Sequence, residues 1–190
     1  VLRSRIKIDN LFIEAATNLQ FIARAGSGME NIDTESAKEK NITCISAPEG
    51  NSNAVAEHLT GMLLSLFNNL NKANNEVKEG VWNREENRGV ELKNKTVGII
   101  GYGNTGIAFA KCLKGFGVNV LAYDKYKSDF TDKYVKEVTL NFLKQQSDII
   151  SLHIPLTDET MYYINDDFFN SIKKPIYLLN TSRGLCVNTS

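Results

Sequence analysis

The sequence predicts an α/β fold built on a doubly wound parallel sheet. Continuously apolar runs of strand length alternate with helix-length stretches along most of the chain, the pattern of strands covered on both faces. One such run, Thr96–Ile100, passes straight into Gly101-x-Gly103-x-x-Gly106 and then into a helical pattern. A second run ends in an acidic residue, Asp124, 23 residues after Gly101.

Within residues 1–47, "FIAR" (21–24) and "ITCIS" (42–46) read as strands, and "IDTESAKEK" (32–40) reads as the helix between them, with Asp33 or Thr34 as N-cap. Two parallel strands joined by a helix fit this spacing. From Ala54 to Gly80, Val55, Leu59, Met62, Leu63, Leu66, Phe67, Leu70 and Val77 recur at steps of three and four, which predicts one long amphipathic helix. Asn51–Asn53 offer its N-terminal caps and Gly80 its stop. Its apolar stripe faces a core, and a second reading lets part of it pack on a second subunit. "NREENRGVELKNK" (83–95) is polar and reads as a loop.

The regular alternation begins at Thr96. "TVGII" is a strand; residues 104–115 form a helix that packs through Ile107, Phe109, Ala110 and Leu113. "VNVLAYD" (118–124) is a strand and "YVKEV" (134–138) a short one, "LNFLKQQ" (140–146) a helix and "DIISLHI" (148–154) a strand. "DDFFNSI" (166–172) is a helix and "PIYLLN" (175–180) the last strand.

Composition narrows the functional classes. Hydrophobic residues make up 42% and charged residues 23%, as in a soluble globular protein. Lys+Arg and Asp+Glu each total 22, so no net charge favours nucleic acid or an anionic membrane. No apolar run approaches the roughly 20 residues of a bilayer span. Cys44, Cys112 and Cys186 are odd in number and form no C-x-x-C pair. They read as free thiols in a reducing cytoplasm, with no metal site. The chain opens on Val1 without an initiator Met or a signal-peptide pattern, so upstream sequence is expected.

The glycine motif gains meaning from its strand–loop–helix–strand context, that of a Rossmann-type dinucleotide-binding unit. Gly101 permits a tight turn, Gly103 lets backbone approach a pyrophosphate, and Gly106 lets helix pack on strand. Free amides and the helix dipole then favour the anion. Asp124 would accept hydrogen bonds from the ribose hydroxyls and repel a 2′-phosphate, which selects NAD over NADP; Lys125 and Lys127 weigh slightly the other way. The competing reading is a glycine turn with no ligand.

Ligands of open α/β sheets gather at the carboxyl ends of strands. There the sequence places His153, Ile154 and Pro155 after one strand, Asn180–Gly184 after another, and Gly26, Ser27 and Gly28 after "FIAR". Arg183 is the strongest catalytic candidate, because its planar fork binds a carboxylate and polarises an adjacent carbonyl. His153 is either a general acid–base or a cofactor-side or packing residue; the sequence places no carboxylate partner for it. His58, inside the long helix, reads as structural.

Together "RSR" (3–5), "RAGSGMENID" (24–33), "APEGNSNAVAEH" (47–58), "NKTVGIIGYGNTG" (94–106), "AYD" (122–124), "SLHIPLTDET" (151–160) and "LLNTSRG" (178–184) occur in an order that resembles the D-2-hydroxyacid dehydrogenase family, its phosphoglycerate dehydrogenases most closely. The resemblance covers nearly the whole chain. It implies that residues 1–47 are part of a flavodoxin-like substrate-binding domain and residues 48–190 an NAD-binding Rossmann domain, incomplete at its C-terminus. It makes Arg183 the substrate-orienting catalytic arginine. It places Ser27, Gly101, Gly103, Asn104, Thr105, Gly106, Asp124, His153, Ile154, Pro155, Thr181, Ser182 and Arg183 around NAD, and Arg3, Arg5, Ser27, Gly28 and Asn51 around the substrate. Residues 53–80 would form a homodimer contact.

The activity so implied is NAD-dependent oxidation of 3-phospho-D-glycerate to 3-phosphohydroxypyruvate, the first committed step toward serine. The alternatives are a glyoxylate or hydroxypyruvate reductase on the same scaffold and a non-catalytic, NAD-sensing corepressor-like protein. The family's catalytic Glu–His pair follows the "NTSRG" strand, beyond Ser190. The 190 residues alone are therefore expected to be inactive, as a fragment missing sequence at both ends.

Overall fold

Continuous apolar runs place the strands, and short polar side chains cap several of the helices between them. The computed structural model describes residues 1–3 and 5–189. These divide into two units, one over Val1–Ser52 and one from Asn53 onward. The sequence expectation put the division between residues 47 and 48, in the loop that leads into the long helix.

In the first unit, α1 (Asn10–Ala15), which the sequence pattern did not reveal, starts at Asp9, whose carboxylate accepts from the Phe12 N–H at 3.0 Å. Strand β1 (Phe21–Arg24) pairs in parallel with β2 (Thr43–Ser46), and α2 (Thr34–Glu39) crosses between them as expected. Asp33 is its N-cap: it accepts from the Ser36 N–H at 3.0 Å and from Ser36 Oγ at 2.7 Å, which holds its carboxyl below the usual range. Ile8, Ile13, Ile22, Ile32, Ala37 and Ile42 form this unit's core.

The second unit begins with a departure from the expected single helix. There are two helices, α3 (Ser52–Phe67) and α4 (Leu70–Lys78), broken where Asn69 takes a left-handed conformation at φ 52°. The reason is local. Asn68 turns its amide back to the Leu64 carbonyl at 3.0 Å, asparagine tolerates the left-handed region, and the Phe67 carbonyl is taken by the Val90 N–H at 2.8 Å. The loop over 83–95 thus closes the end of α3. Gly80, at φ 78°, does end the helical region. Ala56, Leu59, Leu63 and Phe67 are buried, whereas Met62, Leu66, Leu70 and Val77 stay exposed.

Five parallel strands follow in the order β5-β4-β3-β6-β7: β3 (Thr96–Ile100), β4 (Asn119–Tyr123), β5 (Lys136–Glu137), β6 (Ile149–Leu152) and β7 (Tyr177–Asn180). Helices α5 (Asn104–Leu113), α6 (Leu140–Gln146) and α7 (Asp166–Asn170) connect them. Strand alternation splits the core. Val97, Ile99 and Ile149 join Leu59, Leu63, Phe109 and Leu113 on one face; Ile100, Ile150 and Leu152 join Leu143, Ile164 and Phe168 on the other. No helix among the described residues is long and apolar enough to cross a membrane.

Gly98 sets the depth at which α6 sits. A β-carbon there would lie 2.6 Å from Leu143 Cδ2 and 2.3 Å from Ser147 Oγ. Gly98→Ala is expected to cost ~1–3 kcal/mol by overpacking. Urea unfolding measures the loss, and a compensating Leu143→Ala should recover part of it.

Candidate active site

The chain runs from β3 outward to β4 and β5, then returns to the other side of β3 for β6 and β7. The reversal makes a crevice at the carboxyl ends of β3 and β6, the position where open α/β sheets bind ligands. Three loops border it: Gly101–Gly103 after β3, His153–Pro155 after β6 and Thr181–Arg183 after β7. Every second-unit residue expected at the cofactor falls at this edge or on the first turn of α5, apart from Asp124, which follows β4.

The glycines have the separate roles their spacing suggests. Gly101 sits at φ +93°, and a β-carbon on it would come within 2.5 Å of the His153 carbonyl oxygen. One on Gly106 would lie 2.4 Å from the Gly101 carbonyl oxygen. Around Gly103 nothing lies within 4 Å of an added β-carbon, so this side of the loop is open for a ligand's approach. Gly103 is also the N-cap of α5 and supplies no side-chain cap. The leading amides of the helix are left for an anion.

Asp124 is fixed at the end of β4. Its Oδ2 accepts from the Tyr102 N–H at 2.8 Å and its Oδ1 from the Tyr126 N–H at 2.9 Å. Beside it opens a cleft of about 660 Å³, lined by Tyr123, Asp129, Thr131, Glu137, Val138 and Thr139 among others. The two lysines that weighed against NAD are both engaged. Lys125 pairs with Glu159, which also accepts from the Tyr126 hydroxyl, and Lys127 donates to the Tyr102 carbonyl at 2.9 Å. An open glycine turn, an uncapped helix start and a fixed carboxylate beside a cleft fit a dinucleotide with free ribose hydroxyls.

His153 is a bridge between elements. Its Nε2 lies 2.9 Å from Ser151 Oγ, its Nδ1 lies 3.2 Å from Thr105 Oγ1, and its ring is 5.6 Å from that of Phe109. Burial pushes its pKa down to about 4, so the ring is neutral at physiological pH. Its two ring partners are hydroxyls, an arrangement that favours the packing role over acid–base catalysis.

Ser182 stitches β6 to β7: its Oγ donates to the Leu152 carbonyl at 2.9 Å and accepts from the Ile154 N–H at 3.2 Å. Asn180 closes the same turn, accepting from the Ser182 N–H and donating to the Arg183 carbonyl, each at 2.9 Å. Arg183 Nη1 donates to the Ser182 carbonyl at 2.7 Å, which places the guanidinium beside the strand end.

The first unit has a cleft of its own, about 440 Å³, lined by Arg3, Arg24, Ala25, Gly26, Ala47, Gly50 and Asn51. Of the residues expected at substrate, Arg3 and Asn51 line it; Arg5, Ser27 and Gly28 do not. Arg5 lies in a turn and is exposed. Arg24, which was not among the residues expected at substrate, lines the cleft with Arg3. Its Nη1 fills the position a β-carbon on Gly26 would need, at 2.0 Å, and its buried Nε has no hydrogen-bond partner among the described residues. The available signal was an arginine ending a strand two residues before a glycine.

The sequence model of a family described as D-isomer specific 2-hydroxyacid dehydrogenase, NAD binding domain, matches residues 60–190. The chain belongs to this family. The matched part is an NAD-binding domain, and the cofactor is NAD. The chain is 41% identical to a hydroxypyruvate reductase of Thermotoga maritima over 97% of its length and 60% of the relative's. It is 39% identical to a D-3-phosphoglycerate dehydrogenase of Archaeoglobus fulgidus, over 97% of this chain but 35% of that protein. Among solved structures, the NAD complex of an NAD-dependent formate dehydrogenase from Staphylococcus aureus superposes with a TM-score of 0.84 at 36% identity, covering 96% of this chain and 55% of that one. The chain thus spans between a third and two thirds of the length of these relatives.

The neutral His153 ties stability to pH. Its folded pKa is depressed, so the unfolded chain binds the extra proton between about pH 6.5 and 4, and stability is lost as pH falls through that window. Calorimetric melting temperatures should drop across it, and His153→Asn should flatten the drop.

Proposed function

We propose that the protein catalyses NAD-dependent oxidation of 3-phospho-D-glycerate to 3-phosphohydroxypyruvate, the step that leads toward serine. The carrying observation is the pairing of Arg3 with Arg24 in the first-unit cleft. Two guanidinium groups suit a substrate that bears both a phosphate and a carboxylate. The Archaeoglobus relative's name supports the same substrate. Arg183 orients the carboxylate and polarises the carbonyl that forms at C2. The leading amides of α5 hold the pyrophosphate, and Asp124 holds the ribose hydroxyls. Bound NAD supplies the hydride acceptor.

A second reading, reduction of hydroxypyruvate or glyoxylate, is favoured by the Thermotoga relative's name. Steady-state turnover separates the two. With phosphoglycerate as substrate, kcat/KM should exceed that for unphosphorylated glycerate. Arg24→Gln should lower it about 30- to 100-fold, the value of a charge-assisted hydrogen bond, while hydroxypyruvate reduction changes less than about threefold. Arg3→Gln should act in the same direction. Turnover of either acid excludes a purely NAD-sensing corepressor role.

The exposed face of α3 supports a homodimer. Met62 and Leu66 stay exposed there and line a groove of about 560 Å³ with His58, Gly61 and Ser65, and Leu70, the first residue of α4, is exposed as well. A second copy of the chain is the proposed occupant, and the three unpaired cysteines support a reducing cytoplasm. Leu66→Glu should shift the protein from dimer to monomer in sedimentation velocity, with the far-ultraviolet circular dichroism unchanged.

A further inference from the structure

Tyr102 occupies the variable position of Gly-x-Gly, where the pattern asks for no particular side chain. It is nevertheless 3% exposed, and all its polar groups bond to a single segment, the connection that leaves β4. Its N–H donates to Asp124 Oδ2 at 2.8 Å. Its carbonyl accepts from Lys127 Nζ at 2.9 Å. Its phenol donates to Asp132 Oδ2 at 3.2 Å. The ring stacks on Phe130, with centroids 5.0 Å apart and planes 28° apart.

The receiving segment is itself braced. Asp132 Oδ1 accepts from the Tyr134 and Val135 N–H groups at 2.7 and 3.0 Å. Glu137 accepts from the Phe130 N–H at 2.9 Å, and its own N–H donates to Thr131 Oγ1 at 3.0 Å. Burial opposes the charge on Asp132, but these amides, the Tyr102 hydroxyl and Lys111 outweigh it and hold the carboxyl below its usual range. Burial and the charge of Asp132 in turn push the Tyr102 phenol upward, so it stays a donor.

A turn containing two glycines loses much conformational freedom when a ligand orders it. Fixing it beforehand lowers that cost. We propose that Tyr102 is a positioning residue for the dinucleotide: through its phenol–Asp132 bond it locks the glycine turn and Asp124 into one preorganised unit. The amides at the start of α5 and the ribose acceptor are then presented at a fixed separation. This rests on the reading of the crevice as the NAD site.

Tyr102→Phe keeps the ring and removes only the hydroxyl, so folding is preserved. Calorimetric titration of NAD into the wild type, Tyr102→Phe, Asp124→Ala and the double variant forms the test. Tyr102→Phe should weaken NAD binding about 10- to 100-fold, in line with loss of one hydrogen bond to a charged group. In the Asp124→Ala background the same change should cost less than about twofold, because there is no ribose acceptor left to align. Binding by Tyr102→Phe within twofold of wild type overturns the proposal while leaving the NAD site intact. An equal loss in both backgrounds overturns it too, as the mark of a merely structural tyrosine. Absence of NAD binding by the wild type instead overturns the underlying reading.

Discussion

Three stretches of backbone converge where β3 ends, and they do so only because two side chains are missing. The loop after β6 passes so close to Gly101 that a methyl group there would meet the His153 carbonyl at 2.5 Å; the first turn of α5 lies equally close to the Gly101 carbonyl, across Gly106. Closing both gaps directs the leading amides of α5 at the open side of Gly103. It also sets the β6 loop against the turn, where His153 links Ser151 to Thr105 and Ser182 fastens the next strand. The ligand-facing edge of the second unit is therefore a packing result first. A larger residue at Gly101 would shift the helix start, the β6 loop and the histidine bridge together.

Elements whose determinants are local were legible in the sequence. Strands β3, β4, β6 and β7 lie inside the apolar runs that predict them, α6 has the predicted bounds, and of the two expected caps, Asp33 and Thr34, Asp33 is the one that caps α2. The glycine turn was legible because each glycine answers a steric demand within one strand–helix unit. The break at Asn69 was not, because heptad-like spacing continues through it and the asparagines that permit the break are joined by the distant docking of Val90 on Phe67. Arg24 was hidden for a related reason. It lines one cleft with Arg3, a juxtaposition of positions far apart in the sequence that no periodicity encodes. The bonds that hold Tyr102 were likewise out of reach, since a motif consensus is silent on its variable position.

The two basic side chains after Asp124 show how electrostatics at such a site is decided by partners rather than by counts. As sequence, Asp-Lys-Tyr-Lys carries a net positive charge and would suit a 2′-phosphate. In the structure Lys125 is matched by Glu159 and Lys127 is turned onto a backbone carbonyl, while Asp124 is held in a fixed place by the Tyr102 and Tyr126 amides. The Lys127 side chain has its direction set by that bond. To reach a phosphate it would have to release the Tyr102 carbonyl, loosening the turn that the same phosphate ester needs. Binding NADP would thus set two demands of the site against each other: neutralising the extra charge and keeping the pyrophosphate cradle in place. NAD sets no such conflict. In this reading the commitment of Lys127 to the turn would act against NADP alongside the Asp124 carboxylate.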